Sequence, residues 1–295
     1  LIDDQPTVYH VISRTCLDGF PLSDKEKDHF LAVVHRFAAI YFAEILGFCV
    51  MGNHFHMLVR MPAASSISDE AISERYLSVF KAKTAPNPIR LNELRTKWTS
   101  LSEFIGDIKQ HFSLGYNKRH QRKGTFWAER FKSVIVQDGR TLVNCLAYID
   151  LNPIRAGIEK RPEDYRWCSL GYHLQSRNSN NLLSLDFGMQ EWDVHDPGEQ
   201  LRLYREFVYL TGAVDRGKGV IDKRALERAQ ATNFLYTRAD RFMLRVSWYT
   251  RGTILGTQDF VEKTCDKLGL KTSDNRRPIK IPGLDETYSH RRPSE

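Results

Sequence analysis

Apolar and polar side chains alternate through part of Tyr9-His10-Val11-Ile12-Ser13-Arg14, the period of a half-buried strand. After it, Phe30, Val33, Val34, Phe37 and Ala38 recur at helical spacing between Ser23, an N-cap candidate, and about Tyr41. Two β-rich runs, 45–50 and 55–59, flank Met51-Gly52-Asn53, a turn sequence, and so predict adjacent strands. Residues 68–83 and 101–120 read as helices. Between them Ala85-Pro86-Asn87-Pro88-Ile89-Arg90 cannot continue a helix. A fourth strand is predicted at 131–136. The spacing of Leu142, Cys145, Leu146 and Ile149 then predicts a helix from Asp138 to about Asn152, where Pro153 discourages continuation. Four strands and several helices in mixed order make an α+β fold, an antiparallel sheet with helices packed on it.

Further along, 175–181 is polar and turn-rich, and 199–210 returns to helix after Pro197-Gly198. Glycine and charge interrupt the apolar period at 212–219, which places a domain boundary there. Beyond it, 221–231 is helical in pattern, 242–249 strand-like and 257–268 a capped amphipathic helix. From Lys271 the chain is basic and contains proline. The expected organisation is therefore a main domain over 1–212, a small C-terminal module over 213–270, and a basic tail over 271–295.

The apolar share of 41% and charged share of 27% are those of an ordinary globular chain. A net charge of +7 and a pI near 9.1 favour an anionic partner. No run of 18 or more apolar residues occurs, and residues 1–7 lack a basic start followed by an apolar stretch, so neither a membrane span nor an export signal is expected. Cys16, Cys49, Cys145, Cys168 and Cys265 form no CxxC pair, which fits reduced cysteines in a cytoplasmic protein.

Two places could carry chemistry. His54 and His56 are two apart on a predicted strand, so both imidazoles share one face while Phe55 enters the opposite layer. That is half of a metal site, and equally the pattern of two ordinary, partly exposed histidines. Tyr148 and Asn152 are four apart and share a helical face. Together they could approach a metal, or Tyr148 could be a core residue with its hydroxyl at the edge.

Longer motifs favour the first reading in each case. Tyr9-His10-Val11 with Ser13-Arg14, Val50-Met51-Gly52-Asn53-His54-Phe55-His56, Gly124-Thr125-Phe126-Trp127 with Arg130-Phe131-Lys132-Ser133, and Tyr148-Ile149-Asp150-Leu151-Asn152-Pro153-Ile154-Arg155-Ala156-Gly157 follow one another in order. In that order and spacing the chain resembles the REP-associated tyrosine transposases of bacteria, single-copy relatives of insertion-sequence transposases with a His-hydrophobe-His motif. The resemblance spans about residues 8–175. A weaker echo runs through Trp167-Cys168-Ser169, the helix with Tyr204-Arg205-Glu206-Phe207-Val208, and 254–261. Gly52 departs from the proline that relatives commonly carry before the Asn-His pair, which alters the turn and not a ligand.

The resemblance implies a ferredoxin-like fold with the histidines on a central strand, Tyr148 as nucleophile, His54 and His56 as metal ligands, and Asn152 as third ligand. A phenol is a weak nucleophile unless its oxyanion is stabilised, and a divalent ion beside it serves that end. Mn²⁺ suits imidazole ligands better, whereas Mg²⁺ is the more available ion. The implied product is a 5′-phosphotyrosine with a free 3′-hydroxyl, so rejoining needs no ATP. The absence of a GxxxxGK[ST] loop is consistent with that.

The implied substrate is single-stranded or hairpin DNA of the REP-palindrome kind. Residues 109–133 suit it, holding Lys109, Lys118, Arg119, Arg122, Lys123, Arg130 and Lys132 with Tyr116, Phe126 and Trp127 interleaved. Arg14 and Arg155, inside the quoted motifs, join the expected DNA contacts. The same segment could equally be a solvated helix end with core aromatics. Basic residues Lys271, Arg276, Arg277, Lys280, Arg291 and Arg292 either clamp the DNA backbone or solubilise the tail. Two other functions compete with a nicking and joining enzyme: a hairpin-binding regulator without catalysis, and a relaxase or replication initiator sharing the metal motif. A monomer is expected, with a dimer as the alternative.

Overall fold

In a computed structural model the described residues are 5–187, 194–213, 219–237, 255–267, 278–280 and 288–289. Strand β1 (Thr7–Arg14) leads into helix α1 (Asp24–Ala38), then β2 (Glu44–Val50) and β3 (His54–Met61). Helices α2 (Asp69–Phe80), α3 (Pro88–Trp98) and α4 (Leu101–Arg119) precede β4 (Lys132–Val136). The sheet order β2-β3-β1-β4, antiparallel at every pairing, with α1 and α4 as the two connecting helices, is the ferredoxin-like arrangement. Helices α2 and α3 are an insertion into it.

Strand periodicity sets the two faces. Phe55 is fully buried and stacks its ring 4.7 Å from Phe30 of α1. With Phe112 of α4, Phe126 and Trp127 it forms an aromatic layer on that side of the sheet. The opposite face carries α5 (Arg140–Asp150), which buries Leu142, Val143, Leu146, Ala147 and Ile149. Gly47 in β2 permits this approach, because a β-carbon there would lie 2.5 Å from a Leu146 methyl and 2.7 Å from Ser169 Oγ. The four strands expected before residue 137 and the helices at 23–41, 68–83, 101–120 and 138–152 all occur, within a few residues at their ends.

The stretch around Pro88 reads differently in three dimensions. Asn87 accepts a hydrogen bond from Arg90 N–H at 2.8 Å, and Pro88 occupies the first turn of α3. Proline that cannot continue a helix begins one here, since its missing N–H is unpaired at that position anyway.

After α5 come α6 (Asn152–Arg155), α7 (Ser169–Ser176), α8 (Pro197–Gly212) and α9 (Lys223–Ala231). Ile221, Ala225, Ala229 and Phe234 lie in the same core as the sheet, and Ile221 N–H bonds Gly212 O at 3.0 Å. The expected boundary at 212 thus falls inside continuous packing. A second, small cluster joins α10 (Gln258–Lys267), through Val261 and Cys265, to Tyr288. Strands β5 (Leu255–Gly256), β6 (Ile279–Lys280) and β7 (Tyr288–Ser289) pair in the order β5-β7-β6. The strand expected at 242–249, and Lys271, Arg276, Arg277, Arg291 and Arg292 of the tail, lie outside the described residues. No helix among the described residues is long and apolar enough to cross a membrane.

Candidate active site

Register decides which side chains meet on the α5 face. His56 is paired with Ile12, which is paired with Lys132; His54 is paired with Arg14; Leu58 is paired with His10, which is paired with Val134. Cross-strand partners share a face, so His10, His54, His56, Arg14, Lys132 and Val134 all stand on the same side of the sheet. Against them lies α5, whose Tyr148 is 42% exposed although its neighbours Ala147 and Ile149 are fully buried. Its ring centroid is 5.8 Å from that of His56 and 6.1 Å from that of His10. From α6 the Arg155 guanidinium lies over the Tyr148 ring at 5.1 Å.

The two histidines are held by their Nδ1 atoms. His54 Nδ1 donates to Asn53 Oδ1 at 2.7 Å; an amide oxygen only accepts, so the lone pair of His54 is on Nε2. His56 Nδ1 is 3.0 Å from His10 Nε2, and the tautomer that donates from Nδ1 leaves its Nε2 likewise free to ligate. Their ring centroids are 5.1 Å apart. Burial, aided by the neighbouring His54 and His10, pushes His56 down to about 3. Burial, and then Arg14, lowers His54, and burial lowers His10. Each of these shifts favours the neutral ring, the form that binds a metal.

This donor chemistry fits a divalent ion at the histidine pair, with each Nε2 presented and each Nδ1 anchored as ligating histidines require. Among the described residues no three His, Cys, Asp or Glu side chains group to hold a metal ion. Asn152 donates from Nδ2 to the carbonyls of Tyr148 and Ile149 at 3.0 and 3.1 Å. The structure therefore brings Tyr148 to the histidines and ties the Asn152 amide nitrogen to the last turn of α5, which turns Oδ1 away from those carbonyls.

Of the expected DNA contacts, Arg14, Lys132 and Arg155 belong to this face. Exposed Arg130 is near it, since Ala128 N–H bonds Arg14 O at 3.0 Å. Lys118 and Lys123 are exposed at and beyond the end of α4. Four others have partners within the protein. Trp127 is 8% exposed, packed among Phe30, Phe55, Phe112 and Phe126, and has no free face for a base. Lys109 spans Trp127 and donates to Glu129 O at 2.7 Å, and burial lowers it to about 8. Arg119 grips Glu26, 2% exposed, through Nε and Nη2 at 3.1 and 2.5 Å. Arg122 bonds Thr125 O and Asn117 Oδ1 and shapes the turn after α4. His10 was missed as a site residue, because a lone histidine on a strand gives no sign of its neighbour across the sheet.

Residues 5–73 match the protein family described as Transposase IS200 like. That span holds His10, His54 and His56, while Tyr148 lies beyond it. A protein of Haemophilus influenzae assigned to the REP-associated tyrosine transposases is 21% identical over 155 residues, 50% of this chain and 74% of the relative. A solved structure of a REP-associated tyrosine transposase bound to a REP hairpin aligns at 12% identity with a TM-score of 0.43, covering 74% of this chain and 94% of that one.

Proposed function

We propose that this chain, a relative of the REP-associated tyrosine transposases and so of the DNA-cleaving and joining enzymes, is a cytoplasmic, monomeric, metal-dependent endonuclease and strand transferase acting on single-stranded REP-type hairpins. The observation that carries the reading is the partly exposed Tyr148 ring, 5.8 Å from the ring of His56 and covered by the Arg155 guanidinium.

Tyr148 Oη attacks the scissile phosphorus, the bond to the 3′-oxygen breaks, and a 5′-phosphotyrosine and a 3′-hydroxyl result. The new phosphodiester conserves the energy of the old one, so a second 3′-hydroxyl can displace Tyr148 and rejoin the strand. Arg155, at 5.1 Å from the ring, favours negative charge on the tyrosine oxygen and on the phosphate it meets. Arg14 and Lys132, on the same face, contact the DNA backbone on the histidine side. His54 and His56 would hold Mg²⁺ or Mn²⁺ through Nε2, with Asn152 Oδ1 as third donor, and the bound ion would polarise a phosphate oxygen. His10 keeps the His56 ring in place throughout.

Tyr148→Phe removes only the nucleophilic oxygen. The expected result is normal hairpin binding by gel shift with no covalent protein–DNA band on a denaturing gel in Mg²⁺ or Mn²⁺. An adduct at wild-type yield in this variant would sink the assignment.

A further inference from the structure

The connection from β1 to α1 is pinned around the histidine turn. Thr15 N–H bonds Asn53 O at 2.9 Å, Cys16 N–H bonds Phe126 O at 2.9 Å, and Leu22 N–H bonds Gly52 O at 2.8 Å. Leu22 is buried at 1% exposure, which fixes the far end of the loop. Between the pins the chain turns at Gly19, in the left-handed region at φ +69°, and leaves Phe20 80% exposed.

Phe20 is exposed yet seated. A β-carbon on Gly52 would fall 2.6 Å from its Cδ1 and 3.0 Å from its Cβ and Cγ. The side chain therefore occupies space that any residue other than glycine at 52 would claim. Gly52 is two residues before His54, at most roughly 7 Å along the chain, and Asn53 between them clamps the His54 ring. An aromatic ring with its inner edge on the Gly52 backbone and most of its surface in water thus borders the turn that leads into the strand of His54 and His56, with exposed Arg14 paired across from His54.

Single exposed apolar side chains are ordinary on protein surfaces. Ile89 at 76% exposure, on the first turn of α3, is one. Phe20 differs in resting on a glycine of the turn that leads into the candidate metal ligands, in a loop whose two ends are pinned by three backbone hydrogen bonds. Resting on the proposal that single-stranded DNA is the substrate, we infer that Phe20 is the platform on which an unpaired base flanking the scissile phosphate stacks. Gly52 is its positioning partner. Every base has a π-face, so such a platform holds the strand in line for attack without reading its sequence. It also supplies the exposed aromatic surface that Trp127, buried in the core, does not.

The test uses the full chain in a Tyr148→Phe background, which keeps oligonucleotides intact. Two probes are compared: a DNA hairpin with an unpaired 5′ flank carrying 2-aminopurine at successive positions, and the same hairpin without a flank. Phe20→Ala is expected to weaken binding of the flanked hairpin about 10-fold, about 1.4 kcal/mol, and to leave the unflanked hairpin unchanged. It should also restore 2-aminopurine fluorescence at one flank position. Phe20→Trp should retain affinity and show indole quenching by the flank, and Gly52→Ala should behave like Phe20→Ala with an unchanged melting temperature. Equal affinity of Phe20→Ala and its parent for a flanked hairpin that the parent binds would overturn the platform alone. Failure of the parent to bind either hairpin would overturn the substrate reading and the platform with it.

Discussion

His10→Ala removes a ring that touches no phosphate in the proposed reaction, so its effect tests how the histidine centre is held. His10 is 8% exposed and His56 5%, and the 3.0 Å contact between Nε2 and Nδ1 is inside the sheet–helix interface. Without it the His56 ring loses the partner that sets its tautomer and tilt. Loss of such an outer partner weakens a metal site by roughly 10- to 100-fold, which corresponds to about 1.4 to 2.7 kcal/mol. Calorimetric titration of Mn²⁺ into DNA-free protein should show that weakening. Adduct yield, low at modest Mn²⁺, should recover as the ion concentration is raised. His10→Gln, which can still offer an amide to Nδ1, should fall between the two. Circular dichroism separates this from unfolding, because only a folded variant with a cooperative melt is informative. Wild-type Mn²⁺ affinity in folded His10→Ala would show that His10 does not hold the His56 ring for the metal, whatever the variant's activity.

Trp127→Ala is expected to cost about 3–5 kcal/mol of stability and to lower the melting temperature sharply; a variant that melts like wild type and only loses DNA affinity would return Trp127 to the DNA surface. Asp150 is fully buried, accepts from Tyr204 Oη at 2.5 Å and Leu170 N–H at 3.1 Å, and is raised by burial from 3.8 to about 6. A carboxyl whose folded pKa is raised contributes stability that is full below its unfolded pKa and lost as pH rises through the folded one. Between pH 5 and 7 the loss is roughly 1 kcal/mol, so denaturant unfolding of Asp150→Asn should lack that slope; an equal pH dependence in both proteins would assign it to another group.

Local spacing reveals the four-stranded sheet and the helices on its two faces, although the Asn87-Pro88 start of α3 reads along the chain as a break. The apolar periods of α1, α4 and α5 and the alternation in β1 and β3 are properties of short segments, and the turn at Gly52 announces the β2–β3 pair. His54 and His56 share a face because a strand repeats every two residues, a fact needing no partner. Other features depend on segments distant in the chain. His10 meets His56 across 46 residues, and a one-residue slip of β1 against β3 would turn it into the aromatic layer. Whether Arg119 and Lys109 face water or serve Glu26 and Trp127 is settled by what packs beside them, since a charge alone does not say what it pairs with. The seat of Phe20 is decided the same way, because the space it fills is left by a glycine in the β2–β3 turn. The four strands of the sheet, the helices α1, α4 and α5 and the shared face of the two histidines are thus legible in the chain alone. Which side chains of different elements meet is set in three dimensions, because strand register and packing fix those meetings and spacing along the chain does not.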